Sequence, residues 1–167
     1  MLTPAINYQS ELNNIFNSIW NDEYYKYYFC EGYYSGIDIC KETWNRHQFV
    51  SVSSSNVVNG FISYYIDRHT YGCYNLSIIG FYKDKNVTFG NDVSRAIRDI
   101  FEKYRFNKLS FTVVIGNPIE KTYDKLMKKY GGRVVGIKEK EVKLIDGKFY
   151  DLKIYEIMRD NYIESCK

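Results

Sequence analysis

The sequence predicts an α/β fold, because two strand-loop-helix units follow one another in the middle of the chain. The first unit is an apolar strand, Leu76–Tyr82, then a short loop holding Gly90 and an amphipathic helix that ends near Tyr104. The second unit is a β-rich strand, Leu109–Ile115, followed by a break and a helix through Tyr130. Consecutive units of this kind place helices on a sheet as a separate layer.

The first of these helices has one buried face. Its apolar residues recur at the spacing of a single helix face, which indicates packing against the sheet. They are Val93, Ala96, Ile97, Ile100, Phe101 and Tyr104. In the second unit, Gly116-Asn117-Pro118 separates the strand from the helix. Asn before Pro is typical of a capped helix start, so we expect the helix to begin here.

Helices precede the two units, and antiparallel hairpins flank them. Ser55-Asn56 and Asp146-Gly147 are turn sequences between alternating strands. These outer elements are a helix over Tyr8–Trp20, an aromatic helix or helix-loop over Glu23–Tyr34, strands over Gln48–Ser54, Val57–Asp67 and Tyr71–Lys83, and a closing hairpin of Val134–Leu144 and Lys148–Met158. We therefore predict a single domain over 1–167, with a helical region at 1–46 and a sheet core at 47–159.

Composition excludes several classes of protein. With 45% hydrophobic and 18% aromatic residues, the 167-residue chain can form a sizeable core and is not disordered. The net charge of +3 comes from interleaved signs, so a nucleic-acid partner is not indicated. Apolar runs are only strand-sized, the four cysteines lack CxxC spacing, and no metal-ligand pattern is present. These features predict a cytoplasmic protein with free thiols, no metal and no membrane partner.

The pattern of elements resembles the GCN5-related N-acetyltransferases. The resemblance runs from about Phe49 to Ile157 and includes Asn117 before the second helix and Gly131-Gly132 after it. It implies a mixed, mostly antiparallel sheet with two splayed parallel strands in the middle, flanked by helices. It also implies that acetyl-CoA binds between those strands, with its pyrophosphate at the start of the following helix, where backbone N–H groups and the helix dipole favour anions.

The segment before the helix of the first strand-loop-helix unit departs from the family motif. The family has Arg or Gln where Phe89 stands, Gly where Asp92 stands, and a small final residue where Ser94 stands. Asp92 could instead cap the helix and compete with phosphate, unless nearby cations offset its charge. The candidate cations are Lys83, Lys85, Arg95 and Arg98.

The resemblance also implies positions for the residues that contact acetyl-CoA. They are the first splayed strand at Ile78, Ile79, Gly80 and Phe81, the helix start at Gly90, Asn91 and Val93, and Asn117. Backbone N–H groups at 78–80 would polarise the thioester carbonyl. Asn117 would contact the pantetheine arm, and its turn chemistry is a second, compatible role.

The activity implied is direct transfer of an acetyl group to a primary amine of a small molecule or a protein. Tyr123, close to the family's position for a tyrosine on this helix, would be the general acid, although its place in an apolar stripe equally suits packing. We leave the base unassigned, because His47 and His69 read as surface residues. The alternative function is an inactive binding or interaction module, which the changed motif favours, and the C-terminal hairpin could support a homodimer.

Overall fold

The computed structural model describes residues 1–28, 37–82, 84 and 86–167. Its strands are β1 (Leu2–Pro4), β2 (Arg46–Val52), β3 (Val58–Asp67), β4 (Gly72–Gly80), β5 (Lys108–Val114), β6 (Arg133–Lys143) and β7 (Phe149–Met158). Its α-helices are α1 (Gln9–Ile19), α2 (Val87–Arg98), α3 (Glu120–Tyr130) and α4 (Arg159–Ser165). Short 3-10 helices lie at Ala5–Tyr8 and Glu23–Tyr28, and a π-helical turn at Asp99–Lys103 extends α2.

The strands form one mixed sheet in the order β1-β2-β3-β4-β5-β7-β6. Every neighbouring pair is antiparallel except β4 and β5, which run parallel. The predicted mixed sheet with its central parallel pair is confirmed. Among residues 1–28, 37–82 and 86–167, no helix is both long and apolar enough to span a bilayer.

The parallel pair separates after three residues. Its last paired positions are Tyr74 on β4 and Ser110 on β5. At the same level β4 contains an extra residue, because Ser63 of β3 pairs with Ser77 while Tyr65 pairs with Tyr74. This bulge contains Asn75, whose φ of +53° is left-handed. A bulge bends its strand locally, so β4 turns away from β5 at this point.

Apolar side chains cover both faces of the sheet. On one face, α2, the π-helical turn, α3 and α4 pack on a cluster that includes Ile62, Leu109 and Ile157, all fully buried. On the other face, α1 and the two 3-10 helices pack on a smaller cluster around Val50 and Phe61. The gap between β4 and β5 therefore lies between two packed layers.

Element types agree with the sequence predictions, but some boundaries do not. The prediction that Gly90 lies in a loop is wrong, because α2 begins at Val87, capped by the Asn86 side chain, which accepts from the N–H of Phe89 at 2.9 Å. The short β1 and α4 were not predicted. The predicted helix or helix-loop at 23–34 is a 3-10 helix to Tyr28, and its remainder lies outside the described residues.

The Phe89 ring lies across two glycines of neighbouring strands. A Cβ atom on Gly60 would lie 2.5 Å from Phe89 Cε2 and 2.6 Å from the carbonyl oxygen of Ile79. A Cβ on Gly80, which pairs with Gly60, would lie 3.3 Å from Phe89 Cε1. This contact fixes the first turn of α2 on the sheet.

Gly60→Ala should therefore lower the free energy of unfolding by about 1–3 kcal/mol, because neither the backbone carbonyl nor the packed ring can move freely. Chemical denaturation of the purified variant measures this. Gly136→Ala is the matched control, since a Cβ there meets nothing within 4 Å. Equal stability of the two variants would contradict the contact.

Candidate active site

A cavity of about 460 Å³ opens where β4 and β5 separate. Its wall includes residues from both strands, from α1, from the 3-10 helix Glu23–Tyr28 and from α3. Lining residues from the strands and the segment after β5 include Arg46, Ser63, Tyr65, Asn75, Ser77, Ile78, Ile79, Thr112, Val114 and Asn117. Because Phe16 and Phe61 line it from one face of the sheet and Tyr123 from the other, the cavity passes through the sheet.

Backbone groups of both strands face this cavity. The N–H of Phe81 donates to the Asn59 carbonyl of β3, and alternation along an antiparallel strand then directs Ile79 toward β3 and Ile78 and Gly80 toward the gap. On β5, Ile115 pairs with β7, so Thr112 and Val114 face the gap from the opposite side. Two strand edges thus present backbone donors and acceptors inside the protein, where such groups need partners.

Asn117 lies at the C-terminal end of this gap. Its backbone N–H donates to the Val114 carbonyl at 3.1 Å, and its side-chain oxygen accepts from the N–H of Ile119 at 3.1 Å. The turn role is therefore present. The side-chain NH₂ group has no acceptor within the described part of the chain, although Asn117 is buried and lines the cavity. It is available as a donor to a bound molecule.

Tyr123 projects from the first turn of α3 to the cavity wall. Its ring packs edge-on against Phe111 at 4.9 Å between centroids and against Tyr155 at 6.0 Å, so the packing role is also present. Burial raises the pKa of its hydroxyl, and the neighbouring phenols of Tyr28 and Tyr155 add to this effect. The hydroxyl therefore stays protonated over the ordinary pH range.

An ion pair holds the tyrosines of the 3-10 helix against the cavity. Lys26 Nζ donates to Asp146 Oδ2 at 3.2 Å, and the Tyr150 hydroxyl donates to the same oxygen at 2.6 Å. The hydrogen bond from Tyr150, with those from the Lys148 N–H and from Lys26, lowers the pKa of Asp146 to about 2. The turn between β6 and β7 thereby positions Tyr27 on the cavity wall.

The structure divides the residues predicted to contact acetyl-CoA into two groups. Ile78, Ile79 and Asn117 line the cavity together with Tyr123, the predicted acid. Gly80 faces the gap beneath Phe89, whereas the Phe81 N–H is taken by β3.

Residues predicted at the helix start lie inside α2. Gly90 already donates its N–H to the Asn86 carbonyl, Asn91 is exposed, and Val93 is in the core. None of the three lines the cavity, because the helix begins four residues earlier than Asn91.

Asp92 does not cap the helix, so that prediction is wrong. Its carboxylate is buried and accepts from Ser51 Oγ of β2 at 2.7 Å, with the Met1 amino group 3.1 Å from the same oxygen. Arg95 and Arg98 lie in the last turn of α2, too far from its first turn to act there. Lys83 and Lys85 are outside the described residues.

Several cavity residues were not found from the sequence. Thr112 and Val114 could have been, because they alternate with the core residues of β5. No sequence pattern marks Arg46 or Asn75 as a cavity residue. Arg46 is placed by the start of β2 and Asn75 by the bulge in β4, and both features depend on strand pairing. The expectation that His47 lies on the surface is wrong: it is half-buried, its Nδ1 is 2.9 Å from the Tyr64 hydroxyl, and burial lowers its pKa.

No group of three or more His, Cys, Asp or Glu in the described residues is arranged to hold a metal ion. Cys40, Cys73 and Cys166 are free thiols, and Cys30 lies outside the described residues.

The split parallel pair, the bulge before it and the flanking helices define the fold of the GCN5-related N-acetyltransferases. The chain is similar to spermidine N-acetyltransferase from Vibrio cholerae in complex with CoA and spermine, with a TM-score of 0.76 over 98% of this chain and 97% of that chain at 18% identity. A mutant of spermidine N-acetyltransferase SpeG from the same organism superimposes with a TM-score of 0.75 over 100% and 99% of the two chains at 15% identity. At such identities the likeness establishes the fold. No family model and no curated protein matches the sequence.

The position of Gly90 inside α2 gives a direct test of the helix start. Gly90→Ala should raise the free energy of unfolding by about 0.5–1 kcal/mol, because alanine costs less entropy in a helix and a Cβ there meets nothing within 4 Å. Thermal unfolding measures the change. A loss of stability would instead indicate the loop predicted from the sequence.

Proposed function

We propose that the protein is an N-acyltransferase that transfers an acetyl group from acetyl-CoA to the primary amine of a small molecule. The observation that carries the proposal is the gap between β4 and β5, whose two edges are not paired with each other beyond Tyr74 and Ser110 and whose wall includes Asn117 and Tyr123. The likeness to an enzyme crystallised with CoA and spermine supports the same assignment. A protein acceptor and a homodimer stay predictions.

The gap suits the pantetheine arm of acetyl-CoA. That arm is an extended chain with amide groups, and it can satisfy strand edges as an added strand would. Ile78 and Gly80 supply N–H and C=O groups from β4, and Asn117 supplies its side-chain NH₂. An N–H on this edge would also polarise the thioester carbonyl, as an oxyanion hole does.

The phosphate end of acetyl-CoA belongs at the first turn of α2. That turn begins at Val87, so the N–H groups without a partner among the described residues are those of Val87 and Thr88 rather than of Gly90 and Asn91. The Asn86 side chain, which donates to Asn59 Oδ1 at 3.1 Å, anchors the turn beside β3. Phosphate would then meet backbone donors of a first turn that contains no acidic residue of its own.

The reaction needs no covalent enzyme intermediate. The amine nitrogen bonds to the acetyl carbon, the carbon–sulfur bond breaks, and the departing thiolate takes a proton from the Tyr123 hydroxyl. The amine nitrogen loses its proton to water, and Tyr123 is reprotonated from solvent. Burial raises the pKa of the Tyr123 phenol, which keeps it protonated before the step and also makes it a weaker acid than a free phenol.

The inactive-module alternative has lost much of its support. It depended on Asp92 repelling phosphate, and that carboxylate faces Ser51 instead. Phe89, the other departure from the motif, packs on Gly60 and Gly80 as a structural residue. The alternative predicts no acetyl-CoA turnover with any amine.

Acetyl-CoA at about one hundred times its dissociation constant should raise Tm by roughly 5–10 °C.

Asn117→Asp should weaken this binding about tenfold, because it keeps the oxygen that accepts from Ile119 but removes the NH₂ donor. Calorimetric titration measures both proteins, and the variant's own Tm checks that the turn survives. Wild-type affinity in a folded Asn117→Asp protein would contradict the assigned contact.

Tyr123→Phe should lower kcat about a hundredfold or more while leaving acetyl-CoA affinity unchanged, because only the proton donor is lost. Tyr130→Phe, a buried tyrosine of the same helix that does not line the cavity, is the matched control. Since burial raises the Tyr123 pKa, the wild-type kcat should show no alkaline decline due to this group between about pH 6 and about pH 9. Thiol release measures both, and equal rates for the two variants would remove Tyr123 from the mechanism.

A further inference from the structure

Arg46 brings a positive charge into the cavity wall on the side away from α3. It is the first residue of β2 and pairs with Tyr65 of β3. Its guanidinium carbon lies 4.8 Å from the centroid of the Tyr65 ring, and its side chain is only 18% exposed. Stacking on the ring holds the guanidinium in place.

Among the described residues, this guanidinium uses little of its hydrogen-bonding capacity. Nη1 lies 3.5 Å from Asp38 Oδ2 and 3.7 Å from Cys40 Sγ, both longer than the ~2.8 Å of a strong charge-assisted bond. Nε is buried and has no acceptor in the described part of the chain. A half-satisfied guanidinium in a cavity wall favours a bound anion.

The charges around it leave room for such an anion. The Asp38 side chain is 83% exposed, so its carboxylate can move into solvent at little cost when another carboxylate arrives. Other polar residues that line this part of the cavity, Ser63, Asn75 and Ser77, are neutral. Asp38 is the one carboxylate among the described lining residues, and Arg46 faces it, so this part of the wall does not add up to an acidic surface that would attract a polycation.

We propose that the acceptor amine also carries a carboxylate, and that Arg46 binds it. This inference rests on the proposed acyltransfer and names its substrate class. Arg46 stands on β2, two strand spacings or about 10 Å from β4. The carboxylate and the amine are therefore separated by a chain of several atoms, and the aromatic wall of Tyr27, Tyr28 and Tyr65 covers that chain.

The test compares acceptors that share one amine and differ in the distal group. ε-Aminocaproate should exceed ε-aminocaproamide and spermidine in kcat/KM by about tenfold or more, mainly through KM, because a desolvated guanidinium–carboxylate contact is worth that factor. Arg46→Gln should bring the carboxylate and the amide to within about twofold, whereas Arg46→Lys should keep part of the preference.

Arg68→Gln is the matched control. Arg68 also stacks on an aromatic ring, that of Trp44 at 3.8 Å, but it does not line the cavity. It should leave the preference for the carboxylate unchanged. A wild-type preference for spermidine, or a ratio that Arg46→Gln does not alter, would overturn the inference.

Calorimetric binding of ε-aminocaproate in the absence of acetyl-CoA separates this inference from the proposed function. Binding that Arg46→Gln abolishes would support the carboxylate site even if no amine were acetylated. Acetyl-CoA binding, together with turnover of acceptors that lack a carboxylate at a kcat/KM equal to that of ε-aminocaproate, would uphold acyltransfer and reject the role of Arg46.

Discussion

The separation of β4 from β5 is the constraint on which the site depends. A sheet interior normally pairs every backbone N–H and C=O group, and here the pairing ends at Tyr74 and Ser110. The left-handed Asn75 lies in the bulge that bends β4 away, and apolar clusters pack on both faces of the sheet around the gap. Among the described residues β4 and β5 do not complete each other beyond this point, and the proposed ligand would pair with both edges, so the binding site would be an unpaired part of the sheet itself.

The side chains around this gap have structural roles, and the chemical roles that we propose for them are compatible with these. Asn117 forms the turn into α3 with its oxygen and presents its nitrogen to the cavity. Tyr123 belongs to a ring cluster with Phe111 and Tyr155, and Tyr155 is itself fixed by a hydrogen bond to Asp124. A reactive hydroxyl on a packed ring has few rotamers, which favours a defined distance to the reacting sulfur. Packing and catalysis are therefore compatible roles for this residue.

Periodicity in the sequence identified the strands and helices, and the resemblance identified the central cavity, because both depend on local patterns. The start of α2 could not be obtained in this way, since Asn86 and Asp92 are both good caps and only the contact of Phe89 with Gly60 and Gly80 selects the first. Likewise, His47 looks like a surface residue until β2 and β3 pair and bring it to Tyr64. Residues fixed by strand register, Arg46 among them, need the three-dimensional structure.

The ring of Phe89 over Gly60 and Gly80 also limits how this chain could be returned to the common motif of its fold. An arginine or glutamine at position 89 that reached a phosphate would have to leave the sheet, and it would then uncover Gly60 and Gly80, which have no side chains of their own. The three positions form a unit in which the ring supplies the volume that the glycines lack. A substitution at any one of these positions is tolerable only with a change at the others. Phe89 therefore departs from the binding motif as a residue that packing requires, not as a loss of function at that position.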